Sequence, residues 1–251
     1  MARQAMARLC AETKAAADAD SARAALGGQP VSAAMAYALC DPEDDAATVL
    51  VDDMLDVGVS VEDICLDHLA PAARRLGEWW ETDRVPFTDV TLATARIQAM
   101  LRRMPPSRRV PGVAGGKGGV FVAVPGEEHT LGVMMAADLF RRHGWDVSLL
   151  VGQDHDALIA RLARDDRPVI GLSCSGDHSF AALKRLMQAL RRNRPNARIL
   201  LSGQIVGQAE RLAELPKPFT TVADVTEAET VMCEIERELA HEGAAPKRLS
   251  R

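Results

Sequence analysis

Residues 125–132 carry the side chains whose types and spacing best suit metal chemistry. Their sequence, PGEEHTLG, places Glu127 two residues before His129. A neutral imidazole can bind a metal through Nε2, and a carboxylate that accepts the Nδ1 proton fixes the tautomer that leaves Nε2 available. Because the segment offers one good ligand, a zinc site made of protein groups alone is not expected. Taken alone, the segment favours a loop histidine beside solvated carboxylates over a metal ligand.

Small and hydroxyl-bearing residues end two further β-rich segments. GLSCSG covers residues 171–176, and LSGQ covers residues 201–204. In an open sheet of parallel strands, ligands bind in the crevice outside the carboxyl ends of the strands. Both segments are therefore expected to lie beside His129.

The first 104 residues predict an all-α domain, because they are rich in alanine, follow a helical period and contain no β-rich run. Ser60 is the predicted N-cap of one helix, which ends or kinks at Pro71. The pattern indicates a bundle of four or five helices. Helices are predicted over residues 1–26, 44–57, 61–70, 71–81 and 87–103.

A change of pattern follows residues 105–118, a Pro/Gly-rich segment that predicts a linker. Residues 119–241 alternate β-rich and helical runs, which predicts an α/β domain with a doubly wound, flavodoxin- or Rossmann-like sheet of five parallel strands. Residues 242–251 are expected to form a tail. Strands are predicted at 120–124, 147–151, 169–174, 198–201 and 220–223, and helices at 131–143, 156–164, 180–192, 205–212 and 227–239.

The composition excludes several classes of protein. Thirty basic against thirty-five acidic residues give a net charge of −5, and aromatic residues make up 4%, so independent nucleic-acid binding is not expected. No apolar run is long enough to span a membrane, and no signal segment is visible at the N-terminus. The five cysteines show no CxxC spacing. These features predict a cytoplasmic protein with reduced thiols and no membrane partner.

The three strand-end segments together resemble the cobalamin-binding domain. Its signature is an acidic residue followed by x-His-x-x-Gly, then Ser-x-Leu/Thr, then Gly-Gly, and this chain offers matches in that order at spacings typical of the family. The resemblance covers roughly residues 118–240. Two departures are Ser175, where Leu or Thr is usual, and Ser202, where Gly is usual; both substitutes are small. The matching residues are Glu127, His129, Gly132, Ser173, Ser175, Ser202 and Gly203.

This resemblance implies that His129 is the lower ligand of the cobalt ion, in place of the cofactor's own base, whose nucleotide tail enters the domain. The other matching residues and Thr130 are then expected to line the cofactor. Residues 64–103 resemble the helical cap that precedes cobalamin domains. Trp79 and Trp80 would shield the upper face of the cobalt, with Trp80 favoured. The alternative is that this tryptophan pair anchors the core or an interface.

The chain from residue 52 onward is similar to the cobalamin-binding antirepressors of anoxygenic phototrophs, the AerR/PpaA type. That resemblance implies a light- or redox-responsive regulator, not an enzyme, that contacts a DNA-binding repressor of photosynthesis genes. Hydroxocobalamin is the expected cofactor, with adenosyl- or methylcobalamin as other forms and haem as an alternative. The alternative function is a corrinoid methyl carrier that serves partner methyltransferases.

Charge adds a weaker indication about partners. Residues 41–67 contain ten acidic residues and no lysine or arginine. Such a surface could dock on the basic DNA-binding face of a repressor. A solvated helix face is an equally good interpretation of the charge alone.

Overall fold

The computed structural model describes residues 31–41, 45–105 and 118–244. The chain divides into two compact units, Met1–Ser107 and Arg108–Arg251. This division falls within the segment predicted to be a linker. The helix predicted over residues 1–26 lies outside the described residues.

The described part of the first unit is wholly helical. Ser60 is an N-cap as predicted, because its hydroxyl oxygen accepts the Asp63 N–H at 3.0 Å. Gly58 follows the preceding helix at φ +85°, a conformation that glycine adopts without strain. The elements are α1 (Val31–Cys40), α2 (Ala46–Asp56), α3 (Val61–Asp63), a π-helical segment (Ile64–Leu69), α4 (Ala70–Glu81) and α5 (Phe87–Arg103).

The helical run continues through Pro71, where the sequence predicts an end or a kink. The Ala70 N–H donates to the Cys65 carbonyl, which is the i to i−5 bond of a π-helix. Pro71 stands at the first turn of α4, where the hydrogen-bond register returns to that of an α-helix. Proline lacks an N–H, and this position tolerates that lack.

Helix α1 is an element that the sequence analysis did not identify. It contacts α2, the π-helical segment, α4 and α5. Met35, Ala36 and Leu39 are fully buried. A helix that is buried on several sides carries little contrast between apolar and polar faces, so helical periodicity is a weak signal there.

The second unit is built on a five-stranded sheet in the order β2-β1-β3-β4-β5, with every pair parallel. This confirms the doubly wound fold predicted from the sequence. Every residue of β1 is buried, as expected of a central strand with both faces covered. The strands are β1 (Gly118–Ala123), β2 (Asp146–Leu150), β3 (Val169–Ser173), β4 (Arg198–Ser202) and β5 (Thr220–Thr221).

Helices alternate with these strands and pack on both faces of the sheet, where two apolar clusters form the core. The helix predicted over residues 205–212 is divided into a 3₁₀ turn, Gln204–Gly207, and a short α-helix. The last helix extends into the segment predicted as a tail. The helices are α6 (Leu131–Arg142), α7 (His155–Leu162), α8 (Asp177–Asn193), α9 (Ala209–Ala213) and α10 (Val225–Ala244).

Candidate functional site

The predicted site residues of the second unit meet at the carboxyl edge of the sheet. Ser173, the last residue of β3, pairs with Ala123 at the end of β1 and with Ser202 at the end of β4. The loop between β1 and α6 carries Glu127 and His129 directly beyond that edge. The parallel register therefore brings three segments together that are far apart in the sequence.

Glu127 is the centre of a hydrogen-bond network. Its side chain has no exposed surface, and both of its oxygens accept hydrogen bonds. Oε1 accepts the backbone N–H of His129 at 2.8 Å and lies 2.9 Å from His129 Nδ1. Oε2 accepts the backbone N–H of Ser175 at 2.7 Å and the hydroxyl of Ser179 at 2.8 Å. The carboxylate thus joins the β1–α6 loop to the segment that follows β3.

These bonds keep Glu127 ionised despite its burial. Burial alone raises the pKa of a carboxyl group, but the N–H groups of Ser175 and His129, the Ser179 hydroxyl and the His129 ring together hold the pKa of Glu127 below its usual value. An ionised carboxylate can only accept hydrogen bonds. The Nδ1 of His129 therefore carries a proton, and this N–H donates a hydrogen bond to Oε1. This is the contact that the sequence predicts, and it leaves Nε2 with a free lone pair.

The imidazole of His129 is oriented toward solvent although its partner is buried. Its side chain is 61% exposed. A fixed tautomer with an accessible Nε2 is the form in which histidine binds a metal.

Sequence reasoning did not find the role of Ser179. Ser179 is fully buried, and its hydroxyl lies 3.2 Å from the thiol sulfur of Cys174 as well as donating to Glu127. Burial raises the pKa of the Cys174 thiol, so this cysteine is an unreactive neighbour. The only available signal was the position of Ser179 shortly after the end of β3.

Besides Ser179, helix α8 places His178 near the carboxylate of Glu127. Its Nε2 lies 3.7 Å from Glu127 Oε1, and its side chain is 47% exposed. The ring centroids of His129 and His178 are 6.1 Å apart. The fold therefore places two histidines at one carboxylate.

Glycine occupies two positions of the site, Gly203 and Gly132, for different structural reasons. Gly203 has φ +97° and ψ 179°, and a Cβ there would lie 2.2 Å from the carbonyl oxygen of Cys174. The chain's own close packing therefore requires glycine at this position. At Gly132, in the first turn of α6, a Cβ would meet no atom of the described chain within 4 Å. Gly132 borders open space, as a ligand-facing position would.

The hydroxyl groups of the site residues differ in whether they form hydrogen bonds within the described chain. The Ser202 hydroxyl donates to the Leu172 carbonyl at 3.4 Å. Ser173 is buried, and among the described residues its hydroxyl forms no hydrogen bond. Thr130 precedes α6 without a side-chain capping bond. The hydroxyls of Ser173 and Thr130 are thus available to a ligand.

The two tryptophans of α4 have different environments. Trp79 is buried and packs against Tyr37 at a ring-centroid distance of 4.4 Å, with the Arg84 guanidinium over its ring at 5.4 Å. Trp80 is 44% exposed and lies 5.9 Å from Phe87. Trp79 therefore anchors the helical unit, and Trp80 presents an aromatic surface.

The residues at the sheet edge fit a corrinoid. The fit rests on the exposed imidazole of His129, the open space at Gly132 and the hydroxyl of Ser173, which has no hydrogen-bond partner among the described residues. No described helix combines the length and apolar character needed to cross a membrane.

Comparisons with known proteins identify two matching family models. A model described as B12 binding domain matches residues 118–236, and a second model with the same description matches residues 31–104. An uncharacterized 20.5 kDa protein in the bchF-crtJ intergenic region of Rhodobacter capsulatus is 30% identical over 179 residues. The aligned region covers 69% of this chain and 92% of that protein.

A solved structure shares the architecture of the chain. The Methanosarcina barkeri monomethylamine corrinoid protein matches with a TM-score of 0.69 and 15% identity, over 82% of this chain and 98% of that chain. A likeness at this identity shows the fold: a helical region followed by a Rossmann-like domain.

Proposed function

The chain belongs to the B12-binding domain family, and from this premise we propose that it is a cobalamin-dependent regulator that acts by binding another protein. The observation that carries the cobalamin part is the exposed His129 imidazole, held in one tautomer by the buried Glu127 carboxylate. A bound cobalamin supplies a cobalt ion whose upper ligand can be exchanged or, for alkyl forms, lost on illumination.

Each residue of the network has a distinct task in holding the cofactor. His129 Nε2 is the protein ligand of the cobalt. Glu127 orients the ring by accepting a hydrogen bond from Nδ1–H, and this bond strengthens the imidazole as a ligand. Ser175 and Ser179 fix the other carboxylate oxygen, so the ring direction is set before the cofactor arrives. Gly132 and Ser173 leave space and a hydroxyl for the nucleotide tail.

Trp80 is the residue of the helical unit that we assign to the upper face of the cofactor. Its half-exposed indole is available for an aromatic contact, whereas Trp79 is committed to the core. An indole at that face would leave little room for a bulky upper ligand, and hydroxocobalamin is therefore the physiological form that we propose. Tighter binding of adenosylcobalamin than of hydroxocobalamin in the dark would contradict this assignment.

The regulatory part of the proposal is supported by the relative from the bchF-crtJ region, which is a photosynthesis region. The proposed partner is a DNA-binding repressor of photosynthesis genes. Asp53 and Asp56 of α2 and Asp67 of the π-helical segment offer negative charge to a basic partner, whereas Asp52 is already paired with Arg103 at 3.1 Å. Attraction of this kind steers association and is screened by salt within about 10 Å at 0.1 M.

A pull-down from cell extract tests the regulatory proposal. Wild-type protein loaded with hydroxocobalamin should recover a DNA-binding repressor, and the His129→Ala variant should not. Reversing Asp53 and Asp56 to Lys should slow that association while the cobalamin spectrum stays unchanged. Recovery of the repressor to the same extent with the His129→Ala variant would refute a cofactor-dependent interaction.

A corrinoid methyl carrier is the second candidate function, and the shared fold with the monomethylamine corrinoid protein favours it. Recovery of methyltransferases in the same pull-down, or methyl transfer to a thiol acceptor in their presence, would assign this function instead. Haem is the alternative cofactor, since an exposed axial histidine suits either metal. Incubation with haem and with cobalamin in parallel, followed by gel filtration and absorption spectroscopy, separates the two.

A further inference from the structure

The fold creates a set of three metal ligands that the sequence does not reveal. His129 stands alone in its segment, but α8 brings His178 to the same carboxylate. One ligand atom from each of Glu127, His129 and His178 lies within 4.8 Å of the other two. Glu127 Oε1 faces both rings, at 2.9 Å from His129 Nδ1 and 3.7 Å from His178 Nε2.

The two distances from Glu127 Oε1 are close to those of a tetrahedral zinc site. Zinc binds imidazole nitrogen at about 2.0–2.1 Å and carboxylate oxygen at about 2.0–2.2 Å, so neighbouring ligand atoms lie roughly 3.3 Å apart. The two distances from Glu127 Oε1 lie on either side of that value. His178 is half exposed, so its ring can move by the small amount required. The carboxylate is already oriented, because Ser175 and Ser179 hold its other oxygen.

We propose that Glu127, His129 and His178 form a binding site for a zinc ion in the cobalamin-free protein. Two imidazoles and a carboxylate are the protein ligands of known zinc sites that keep a fourth position for water. Zinc takes the place of the Nδ1 proton of His129, and that proton is released to solvent. The buried negative charge of Glu127 balances part of the charge of the ion.

Zinc at this site changes the same imidazole that the cofactor requires. The ion occupies Nδ1 and removes the hydrogen bond to Glu127, which orients the ring and strengthens Nε2 as a cobalt ligand. Zinc therefore opposes cobalamin loading. This consequence rests on the proposed cobalt ligation by His129, whereas the zinc site itself does not.

Calorimetric titration of the cobalamin-free full chain with zinc chloride tests the site. The wild type should bind a single zinc ion, and the His178→Ala and His129→Ala variants should bind it at least about 10-fold more weakly. His241→Ala is the matched control, because His241 is an exposed histidine outside the cluster, and it should bind zinc like the wild type. Titration in two buffers of different ionisation enthalpy should show the released proton.

Equal zinc affinity of the wild type and the His178→Ala variant would overturn the site. His178→Gln is a second variant that keeps a polar side chain at the start of α8, and it should lose zinc as His178→Ala does. Circular dichroism establishes that both variants are folded.

Hydroxocobalamin binding, measured separately, distinguishes this proposal from the cofactor assignment. The His178→Ala variant should bind cobalamin and should no longer be inhibited by zinc. Zinc binding without inhibition of the wild type would refute the antagonism and leave the zinc site standing. Failure of the wild type to bind cobalamin would refute the proposed function, and the zinc titration would still decide the zinc site.

Discussion

Replacing Gly203 by alanine is expected to destabilise the sheet edge that carries the site. With φ +97° and ψ 179°, Gly203 lies in a region of backbone space that is essentially restricted to glycine, and other residues pay about 1–3 kcal/mol there. The added Cβ would also lie 2.2 Å from the Cys174 carbonyl oxygen and 2.8 Å from its carbon. The ends of β3 and β4 must then separate.

That separation weakens the hydrogen bond from the Cys174 N–H to the Ser202 carbonyl, which measures 3.1 Å. A hydrogen bond of this kind contributes about 0.5–1.5 kcal/mol. Together with the backbone cost, the expected loss in the free energy of unfolding is about 2–4 kcal/mol. Urea denaturation of the cobalamin-free protein, followed by circular dichroism, measures this loss.

Gly132→Ala is the matched control for this substitution. It places the same methyl group in the first turn of α6, where the described chain has no atom within 4 Å, and alanine favours a helix by about 0.5–1 kcal/mol over glycine. This variant should be as stable as the wild type or more stable, but should bind hydroxocobalamin more weakly because its methyl group enters ligand space. A Gly203→Ala protein that unfolds at the same urea concentration as the wild type would refute the reasoning.

Three further predictions concern other contacts. Ser179→Ala removes one of the two donors to Glu127 Oε2, and the affinity for hydroxocobalamin should fall about 10–100-fold in a spectroscopic titration; an unchanged affinity would contradict the role of the network. His68 is buried, and its Nδ1 has no hydrogen-bond partner among the described residues. Burial lowers the pKa of His68, against the opposing effects of Asp67 and Asp63. Below pH of about 6.5 the unfolded chain therefore takes up a proton at His68 more readily than the folded protein does, and the folded protein loses stability as the pH falls. His68→Leu should therefore gain stability relative to the wild type as the pH falls from 7 to 5 in urea titrations, and a constant difference would exclude this effect. The Trp79→Ala variant should lose about 3–5 kcal/mol of stability, and the Trp80→Ala variant should lose much less. The Trp80→Ala variant should stay folded, and the spectrum of its bound cobalamin should differ from that of the wild type.

The strongest regularities in the sequence predicted most of the fold. The helix predicted over residues 87–103 has the same bounds as α5, because apolar residues recur there at a clear helical period. All five strands were placed to within a few residues, since buried parallel strands are continuous apolar runs. Helix α1 was missed because burial on several sides removed that contrast. The continuation through Pro71 depends on a π-helical register, which local propensity does not predict.

The site was predicted where a residue type is distinctive in its local segment. The contact between Glu127 and His129 spans two residues, and local spacing was sufficient to indicate it. Ser179 and His178 reach Glu127 across about fifty residues of sequence, and serine and histidine in a helix start carry no specific signal. The packing reason for Gly203 depends on the backbone of another strand end. Such contacts follow from the register of β1, β3 and β4, which the sequence does not contain as a pattern.

The most direct test of cobalt ligation is the electron paramagnetic resonance spectrum of the protein loaded with cobalamin and reduced to the Co(II) state. If His129 is the axial ligand, the nitrogen splitting of the cobalt lines changes from a triplet pattern to a doublet pattern when the protein is labelled with ¹⁵N-histidine and the cofactor is not. The His129→Ala variant should lose this isotope effect. A triplet that persists in the labelled wild-type protein would show that the nitrogen belongs to the cofactor's own base, and would contradict ligation by His129.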